Sequence, residues 1–418
     1  MKKSASTTKR ETKIYDPITI NTLKLDNRIF KAPTLECMAK ENGAPTKQLT
    51  RFYKRAAKGG VGLMITGLSY VSKDGQAYFA ENGMHDDSLI PAWKDFTDEI
   101  HDAKGKIVMQ ISHGGRQVDP RLLSGKKAKG PSNVPNFMYL YRAQKLAEEE
   151  INRIISDFGE AAGRVKEAGF DGVQIHSSGG YLLASFLSPM TNRRKDQWGG
   201  NEKARFHLFE EIYKNVRSTV GPDFPILAKV HLGDLMIMGY PYPSNYQAAL
   251  WMEEIGVDAL EFAMGIFENA MVTFAKGKMP VSMADAHVRP AMRAYWKTTE
   301  WFYKPLSGVK KPYFLKAAEQ LKKRGLSIPL LLAGGVRKYA DAEKILAEGA
   351  ADLIGMARPL LREPNLPNKW KKGERVDSSC ISCNQCTVDL GINANPLKCH
   401  NRNASRQSKP KKTGKVKA

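Results

Sequence analysis

The sequence predicts an α/β fold, a (β/α)8 barrel with a short cysteine-containing extension at its C-terminus. Short apolar runs alternate with stretches of helical spacing along most of the 418 residues, a pattern typical of a parallel sheet covered by helices. No G-x-G-x-x-G follows the first strand, which disfavours a doubly wound dinucleotide-binding sheet. Glycines follow the last two predicted strands, where barrels of this type commonly bind phosphate.

Each strand is predicted from a short apolar run. The eight runs cover residues 27–32, 61–66, 107–111, 172–175, 225–230, 259–262, 329–333 and 353–355. Residues 15–25 precede them and are expected to form a small β element that caps the barrel. Helices are predicted where apolar residues recur at helical spacing, over residues 48–58, 91–104, 147–168, 202–219, 246–255, 313–324 and 340–348.

The rest of the chain is divided by composition. Residues 116–141 and 265–310 are expected to be long irregular segments, and the second, which contains Arg289, Arg293, Tyr295 and Trp296, is expected to line the substrate side. The predicted units are a disordered N-terminus, the barrel, a cysteine-rich extension and a basic disordered tail. They cover residues 1–13, 14–375, 376–402 and 403–418.

Composition and charge bound the function. The chain is 42% hydrophobic and 26% charged, as in ordinary globular proteins. No apolar run reaches membrane-spanning length, and no apolar core follows the basic N-terminus as in a secretory signal, so we expect no membrane association and a cytoplasmic protein. The net charge of +22 suits an anionic partner, but no nucleic-acid-binding motif accompanies it and nucleic acid is not expected.

The most informative stretch is residues 169–206. An apolar strand runs into His176, two glycines and Tyr181. A histidine and a tyrosine at the C-terminal end of a barrel strand lie where such barrels carry their chemistry. The two residues are therefore candidate acid–base groups, and a core histidine is the alternative for His176.

This stretch resembles the Old Yellow Enzyme family of flavin-dependent ene reductases. It matches the family pattern at Ile175, His176, Gly180, Tyr181, Leu182, Leu183, Phe186, Leu187, Ser188, Pro189, Asn192, Arg194, Asp196, Trp198, Gly199 and Gly200. Residues 27–34, 110–117 and 331–369 resemble further blocks of the family, and the resemblance covers about residues 14–402.

The resemblance implies FMN as cofactor and NAD(P)H as reductant. It implies that Gly335 and Arg358 lie at the FMN phosphate, within loops that also contain Gly334 and Gly355. The remaining implied flavin contacts come from the early and middle strands. They are Ala32, Pro33, Thr34, Gly67, Gln110 and Lys229. A cation at Lys229 would stabilise reduced flavin, and a barrel-end lysine without that role is the alternative.

In the family, His176 would bind a substrate carbonyl and Tyr181 would protonate the α-carbon. Two positions depart from the family pattern: Gly179 replaces a second carbonyl-binding His or Asn, and Leu35 replaces a Thr or Cys that tunes the flavin. His231 or His113 could supply the missing donor. Losing one such donor costs about 10²–10³ in rate.

Four of the five cysteines are close together near the C-terminus. Cys380, Cys383, Cys386 and Cys399 are spaced C-x2-C-x2-C-x12-C, which can hold an iron–sulfur cluster or zinc in a reducing compartment. The run resembles that of the 2,4-dienoyl-CoA reductase branch of the family, with one residue fewer between the second and third cysteines. A 4Fe-4S cluster or zinc is therefore a possible second cofactor.

The expected reaction is hydride transfer from NAD(P)H through FMN to an activated alkene, an enone- or enoate-like small molecule. Two alternatives stay open: an FMN dehydrogenase or demethylase acting on a non-enone substrate, and a flavin-binding electron carrier of low turnover. The chain is expected to work with a small-molecule substrate, as a homo-oligomer or with a separate electron donor.

Overall fold

The computed structural model describes residues 12–136, 139, 141–234, 245–263, 294, 297–298, 301, 312–391 and 393–401. The predicted tail at 403–418, residues 1–11 of the predicted N-terminal segment and most of the irregular segment 265–310 lie outside the described residues. So do Arg289, Arg293, Tyr295 and Trp296.

Eight parallel strands close into a barrel, which confirms the predicted fold class. In chain order they are β1 Ile29–Lys31, β2 Leu63–Tyr70, β3 Ile107–Ser112, β4 Val173–Ser177, β5 Ile226–His231, β6 Ala259–Ala263, β7 Leu330–Ala333 and β8 Leu353–Met356. Each strand pairs with the next, and β8 pairs with β1. Because all eight strands run in one direction, their C-terminal ends meet at one mouth.

Helices cover the outside of the sheet. The described helices are α1 Lys47–Lys58, α2 Ile90–Asp102, α3 Glu148–Glu167, α4 Leu182–Leu187, α5 Glu202–Val220, α6 Tyr246–Glu254, α7 Leu315–Lys323, α8 Tyr339–Ala347, α9 Arg358–Arg362, α10 Leu366–Lys371 and α11 Gln385–Gly391. No helix within the described ranges has the length and apolar character that crossing a membrane requires.

Several short elements join the main ones. The predicted irregular segment 116–141 contains short strands and turns instead of continuous loop. The two-residue strands are Asn82–Gly83, Lys129–Gly130, Pro135–Asn136, Tyr141–Arg142 and Gln144–Lys145. The short 3-10 turns are Lys73–Gly75, Asp87–Leu89, Gly115–Gln117 and Pro120–Leu122.

A small hairpin closes the N-terminal end of the barrel, as residues 15–25 were expected to do. Strands Ile18–Ile20 and Leu23–Leu25 pair antiparallel. Their buried side chains share an apolar cluster with the lower barrel interior. That cluster contains Ile20, Leu23, Leu25, Phe30, Leu63, Ile65, Val108, Leu227, Ala259, Leu331 and Leu353.

Side chains alternate between the two faces of each strand, so every second residue points into the barrel. On β3, Met109 and Ile111 join the cluster beneath the helices, whereas Val108 lies inside the barrel. The next interior residue is Gln110, which is buried and polar. The interior therefore changes from apolar to polar toward the mouth, which places the candidate site there.

Strand β2 carries a bulge where the prediction ended it. Its register with β3 shifts by one residue between Ile65 and Leu68. Two residues of β2, Thr66 and Gly67, therefore lie opposite one residue of β3, Met109. A bulge bends a strand and re-aims its side chains, and such bulges are common beside active sites. The prediction that β2 stops at residue 66 is wrong: the strand continues to Tyr70.

Candidate functional site

Four polar side chains form a hydrogen-bonded ladder across the upper barrel interior. Gln110 Nε2 donates to Gln174 Oε1 at 2.6 Å, and Gln174 Nε2 donates to Glu261 Oε2 at 3.1 Å. Lys229 Nζ lies 3.0 Å from Glu261 Oε1. The ladder joins β3, β4, β6 and β5 and brings the predicted residues Gln110 and Lys229 together. Sequence reasoning missed Gln174 and Glu261, although a buried-strand position occupied by a polar residue is a usable signal.

His176 occupies the next interior position of β4 above Gln174. It lies within the strand, not just beyond it as the sequence suggested. The side chain is buried, and neither ring nitrogen makes a hydrogen bond of good geometry with a described residue. Burial, with the nearby Lys229 charge, holds the pKa of His176 well below its ordinary value, although the Ser178 backbone lies near enough to oppose this lowering. The imidazole is therefore neutral near pH 7 and can donate one N–H to a ligand.

Tyr181 directly precedes α4 and lies beside His176, with 5.2 Å between the two ring centroids. Its hydroxyl is 2.8 Å from the hydroxyl of Tyr78, which belongs to the loop after β2. Burial raises the pKa of Tyr181. The structure thus brings the predicted acid–base pair together and adds Tyr78, a contact across 103 residues that the sequence does not signal.

The turn between His176 and Tyr181 depends on glycine. Gly179 and Gly180 have φ angles of +68° and +82°, in the left-handed region. A Cβ on Gly179 would lie 3.2 Å from the nearest atom of the Tyr181 ring. A side chain at residue 179 would therefore face the ring of Tyr181, the candidate acid. Glycine supplies no side-chain donor there.

The two residues suggested as compensating donors differ in their surroundings. His231 Nε2 lies 2.7 Å from Asp234 Oδ1, so that nitrogen is engaged. His113 Nδ1 accepts from the Gly115 amide at 3.0 Å, so the neutral ring carries its proton on Nε2, which has no hydrogen-bond partner among the described residues. Burial lowers the pKa of His113 to about 4.

Beneath the loop of Ala32, Pro33 and Thr34 lies a buried carboxylate that sequence reasoning missed. Glu36 Oε1 accepts from the Gly67 amide at 2.7 Å and from the Tyr53 hydroxyl. A Cβ on Gly67 would come within 2.4 Å of Glu36 Oε2, so only glycine fits there.

The Tyr53 hydroxyl also accepts from Lys31 Nζ at 3.3 Å. Burial raises the pKa of Glu36 and lowers that of Lys31 to about 8. Two ionisable groups therefore lie beneath the predicted redox edge, linked through one tyrosine. Leu35, beside them, is half-buried.

The predicted phosphate loops lie at the ends of β7 and β8. Gly334 and Gly335 have φ angles of +117° and +85°. Gly355 lies inside β8, within the predicted run 353–355, and a Cβ there would clash with the Phe30 ring. Arg358 begins α9 and donates to Asn384 Oδ1 in the C-terminal extension. The extension thus packs directly against the predicted phosphate site.

The four C-terminal cysteines line one surface pocket together with Arg358. All five cysteines are free thiols. Burial raises the pKa of Cys386 to about 11. Within the described ranges, no group of three or more His, Cys, Asp or Glu side chains is gathered closely enough to hold a metal ion. The cysteines share a pocket in an arrangement wider than a closed metal site.

The mouth also carries buried polar atoms that need a partner. His176, Ser112 and Ser178 lie at or just after the ends of β3 and β4, and their side-chain polar atoms have no hydrogen-bond partner among the described residues. Buried polar groups are usually satisfied, so such a cluster indicates a polar ligand. An isoalloxazine ring carries carbonyl and N–H groups along one edge that would pair with such atoms, and glycine loops after β7 and β8 are where barrels commonly bind phosphate. Fold and mouth together define a (β/α)8 barrel with a candidate ligand site at the C-terminal ends of its strands.

Comparison with known proteins gives the family. The model of the NADH:flavin oxidoreductase / NADH oxidase family matches residues 13–377, and the chain belongs to this family. Membership implies a flavin and NADH. A metal reductase from Desulforamulus reducens is 34% identical over 391 residues, which cover 92% of this chain and 53% of the relative.

Two further proteins are similar to this chain over most of its length. A multifunctional alkene reductase/demethylase OYE from Caballeronia cordobensis is 28% identical, over 91% of this chain and 52% of the relative. The structure of the old yellow enzyme homologue from Zymomonas mobilis matches with a TM-score of 0.70 and 24% identity, over 92% of this chain and 100% of that one, and supports the fold. The chain spans about half the length of both curated relatives.

Proposed function

We propose that this protein transfers hydride from NAD(P)H through bound FMN to an activated alkene. The observation that carries the proposal is the pairing of a neutral, unpartnered His176 with a buried Tyr181 at the barrel mouth. The first can donate to a carbonyl and the second can supply a proton to carbon. The alkene reductase named among the relatives supports the same substrate class.

The residues proposed to hold FMN come from both sides of the mouth. Ala32, Pro33, Thr34, Gly67, Gln110 and Lys229 would line the ring, and Gly334, Gly335, Gly355 and Arg358 would surround the phosphate. When bound, FMN supplies the hydride-transfer chemistry that no side chain offers. Lys229 would contribute a positive charge to the ring site, and Glu261, 3.0 Å away, holds the lysine in position.

His176 and Tyr181 have separate proposed roles, the first in binding the carbonyl and the second in donating a proton. The N–H of neutral His176 donates to the substrate carbonyl and stabilises the negative charge that develops on its oxygen. Tyr181 holds its proton at neutral pH as an ordinary tyrosine does, and burial raises its pKa further. It then gives that proton to the α-carbon as a general acid.

Anaerobic stopped-flow measurements test the proposal in two halves. NADH or NADPH is expected to bleach the flavin, and an enone panel to restore its absorbance. Tyr181→Phe should slow the second half about 10²–10⁴-fold, the usual contribution of a general acid, and leave the first half unchanged. The matched control is Tyr213→Phe, whose lost hydroxyl donates to the Gly256 carbonyl at 2.5 Å on the outer helix layer. No bleaching by either nucleotide would end the reductase proposal.

Gly179 favours a second candidate within the same family. With only His176 to hold a carbonyl, the site suits substrates that need one donor, such as an amine oxidised by a dehydrogenase or demethylase. A relative whose name combines alkene reductase and demethylase supports this candidate. Flavin bleached by N-methylated amines but not reoxidised by enones would select it. Flavin that is neither bleached by N-methylated amines nor reoxidised by enones would favour an electron carrier of low turnover.

We further infer that Cys380, Cys383, Cys386 and Cys399 can gather a 4Fe-4S cluster or zinc, supported by four free thiols around one pocket. No step of the reaction is assigned to such a group. Free thiolates for such a site would persist in a reducing compartment such as the cytoplasm. Iron and zinc analysis of anaerobically purified protein tests the idea, with Cys383→Ser expected to remove the metal and Cys37→Ser expected to retain it. Absence of both metals from the wild type would end it.

A further inference from the structure

The hydroxyls of Tyr78 and Tyr181 lie 2.8 Å apart inside the protein. Both side chains are buried, with 4% and 8% of their surfaces exposed. Their rings meet edge to face, with centroids 6.4 Å apart. At this distance the two hydroxyls form a hydrogen bond, in which one O–H donates and the oxygen of the other accepts.

The direction of this hydrogen bond matters for chemistry. A phenol has one proton, and Tyr181 can give it to a substrate only when that proton points away from Tyr78. Tyr78 must then be the donor and the Tyr181 oxygen the acceptor. When Tyr181 loses its proton, the same hydrogen bond becomes charge-assisted and therefore stronger.

The surroundings of Tyr181 otherwise oppose its ionisation. Burial, Glu81 and Cys37 raise the pKa of Tyr181, and the Tyr78 hydroxyl is the neighbour that lowers it. Glu81 Oε2 accepts from the Ala77 and Tyr78 amides at 2.6 and 2.9 Å, and burial raises its own pKa to about 8. The titratable groups facing the tyrosine pair are Glu81, Cys37, Tyr139 and His176.

We propose that Tyr78 is a positioning residue for the acid: its hydroxyl donates to Tyr181, orients the Tyr181 proton toward the substrate and stabilises the phenolate that remains. This inference rests on the proposed role of Tyr181. In the step itself, the Tyr181 O–H bond breaks and a C–H bond forms at the α-carbon. The electron pair stays on Tyr181 Oη, which later takes a proton from water.

Ionisation of Tyr181 can be measured without turnover. In protein labelled with 3-fluorotyrosine, which ionises at lower pH than tyrosine, the ¹⁹F resonance of residue 181 is assigned by its absence from Tyr181→Phe. In Tyr78→Phe its titration is expected to move up by about 1–2 pH units, the worth of a hydrogen bond to a charged group. Tyr213→Phe is the matched control and should leave it unchanged. An unchanged or lower value in Tyr78→Phe would overturn the inference.

Kinetics of the flavin-loaded enzyme give the second arm. Tyr78→Phe should slow reoxidation by an alkene about 10–100-fold and leave reduction by NAD(P)H within about twofold. If Tyr181→Phe slows reoxidation and Tyr78→Phe does not, Tyr78 has no positioning role. If Tyr181→Phe has no effect on reoxidation, the proposed function fails, and the ¹⁹F titration still decides whether Tyr78 stabilises the phenolate.

Discussion

The lower and upper halves of the barrel interior come from the same strands but differ in chemistry. On β3 and β5, Val108 and Leu227 lie in the apolar lower cluster, and Gln110 and Lys229 follow two residues later in the polar ladder. The lower half is closed by the N-terminal hairpin, and its described cluster consists of apolar side chains. The upper half contains buried polar atoms that no described residue satisfies.

This difference separates stability from function along one axis of the molecule. Apolar burial is the dominant stabilising contribution in folding, and the side chains of the lower cluster contribute to it. The upper half holds ionisable side chains away from water, where their pKa values shift and their hydrogen bonds strengthen. Substitutions in the two halves should therefore affect different measurements.

The largest effect is expected in the lower half. Leu63→Ala removes a fully buried side chain of the lower cluster, and should lower the free energy of unfolding by about 2–5 kcal/mol. Half-reaction rates of the protein that remains folded should stay near wild type. Denaturant unfolding measures the free energy and stopped-flow the half-reaction rates, with Leu63→Met as the conservative control. A large kinetic effect at unchanged stability would contradict the division.

The next effect is a pH dependence that belongs to the upper half. Burial lowers the pKa of His113 from 6.5 to about 4. Above pH 6.5 its contribution to stability is complete. As pH falls from 6.5 to 4 the unfolded chain binds a proton that the folded chain refuses, so stability should fall by about 3 kcal/mol. The buried His176, whose pKa is also lowered, adds in the same direction.

His113→Gln should make this slope shallower when unfolding is followed from pH 4 to 7. His207→Gln, at a partly exposed position on α5, is the matched control and should leave the slope unchanged. Equal slopes in the wild type and His113→Gln would show that His113 does not carry the effect.

The sequence predicts the lower half of the barrel interior better than the upper half. The lower half was predictable because apolar runs with a period of two mark the strands directly. The ladder residues Gln110 and Lys229 and the pair His176–Tyr181 were found through family motifs. Their roles stay predictions. Gln174 and Glu261 were missed because a single polar residue hardly alters an apolar run.

Contacts between distant segments were beyond the sequence for another reason. Tyr78 meets Tyr181 across 103 residues, and Glu36 meets Gly67 across 31. Neither contact has a local pattern, because loop ends are brought together by barrel closure and not by neighbouring residues. The end of β2 was predicted wrongly for a different, local reason: a bulge at Gly67 interrupts the strand pattern.

A smaller effect is expected from breaking the ladder. Glu261→Gln keeps the shape of the side chain but leaves Lys229 without its carboxylate, and should cost about 2 kcal/mol of stability. The site also becomes more positive, so the midpoint potential of bound flavin should rise. Redox titration and denaturant unfolding measure the two. Glu211→Gln, which removes a partly exposed ion pair with Lys214 on α5, should change neither. An unchanged potential would argue against Lys229 acting on the flavin.

The smallest effect concerns Gly179, the departure beside the acid. Its φ of +68° is a conformation that asparagine adopts more readily than most residues, so Gly179→Asn should cost less than about 1 kcal/mol of stability. Its Cβ would lie 3.2 Å from the Tyr181 ring, so the ring must shift by a few tenths of an ångström.

If the proposed alkene reaction lacks only a second carbonyl donor, Gly179→Asn should speed flavin reoxidation by enones about tenfold, equivalent to about 1.4 kcal/mol. Gly179→Ala introduces the same Cβ without a donor and separates the hydrogen bond from the steric change. A gain in the asparagine variant alone would assign the upper half of the barrel to carbonyl binding. Equal rates in both variants would instead favour a substrate held by His176 alone, as the dehydrogenase or demethylase candidate requires.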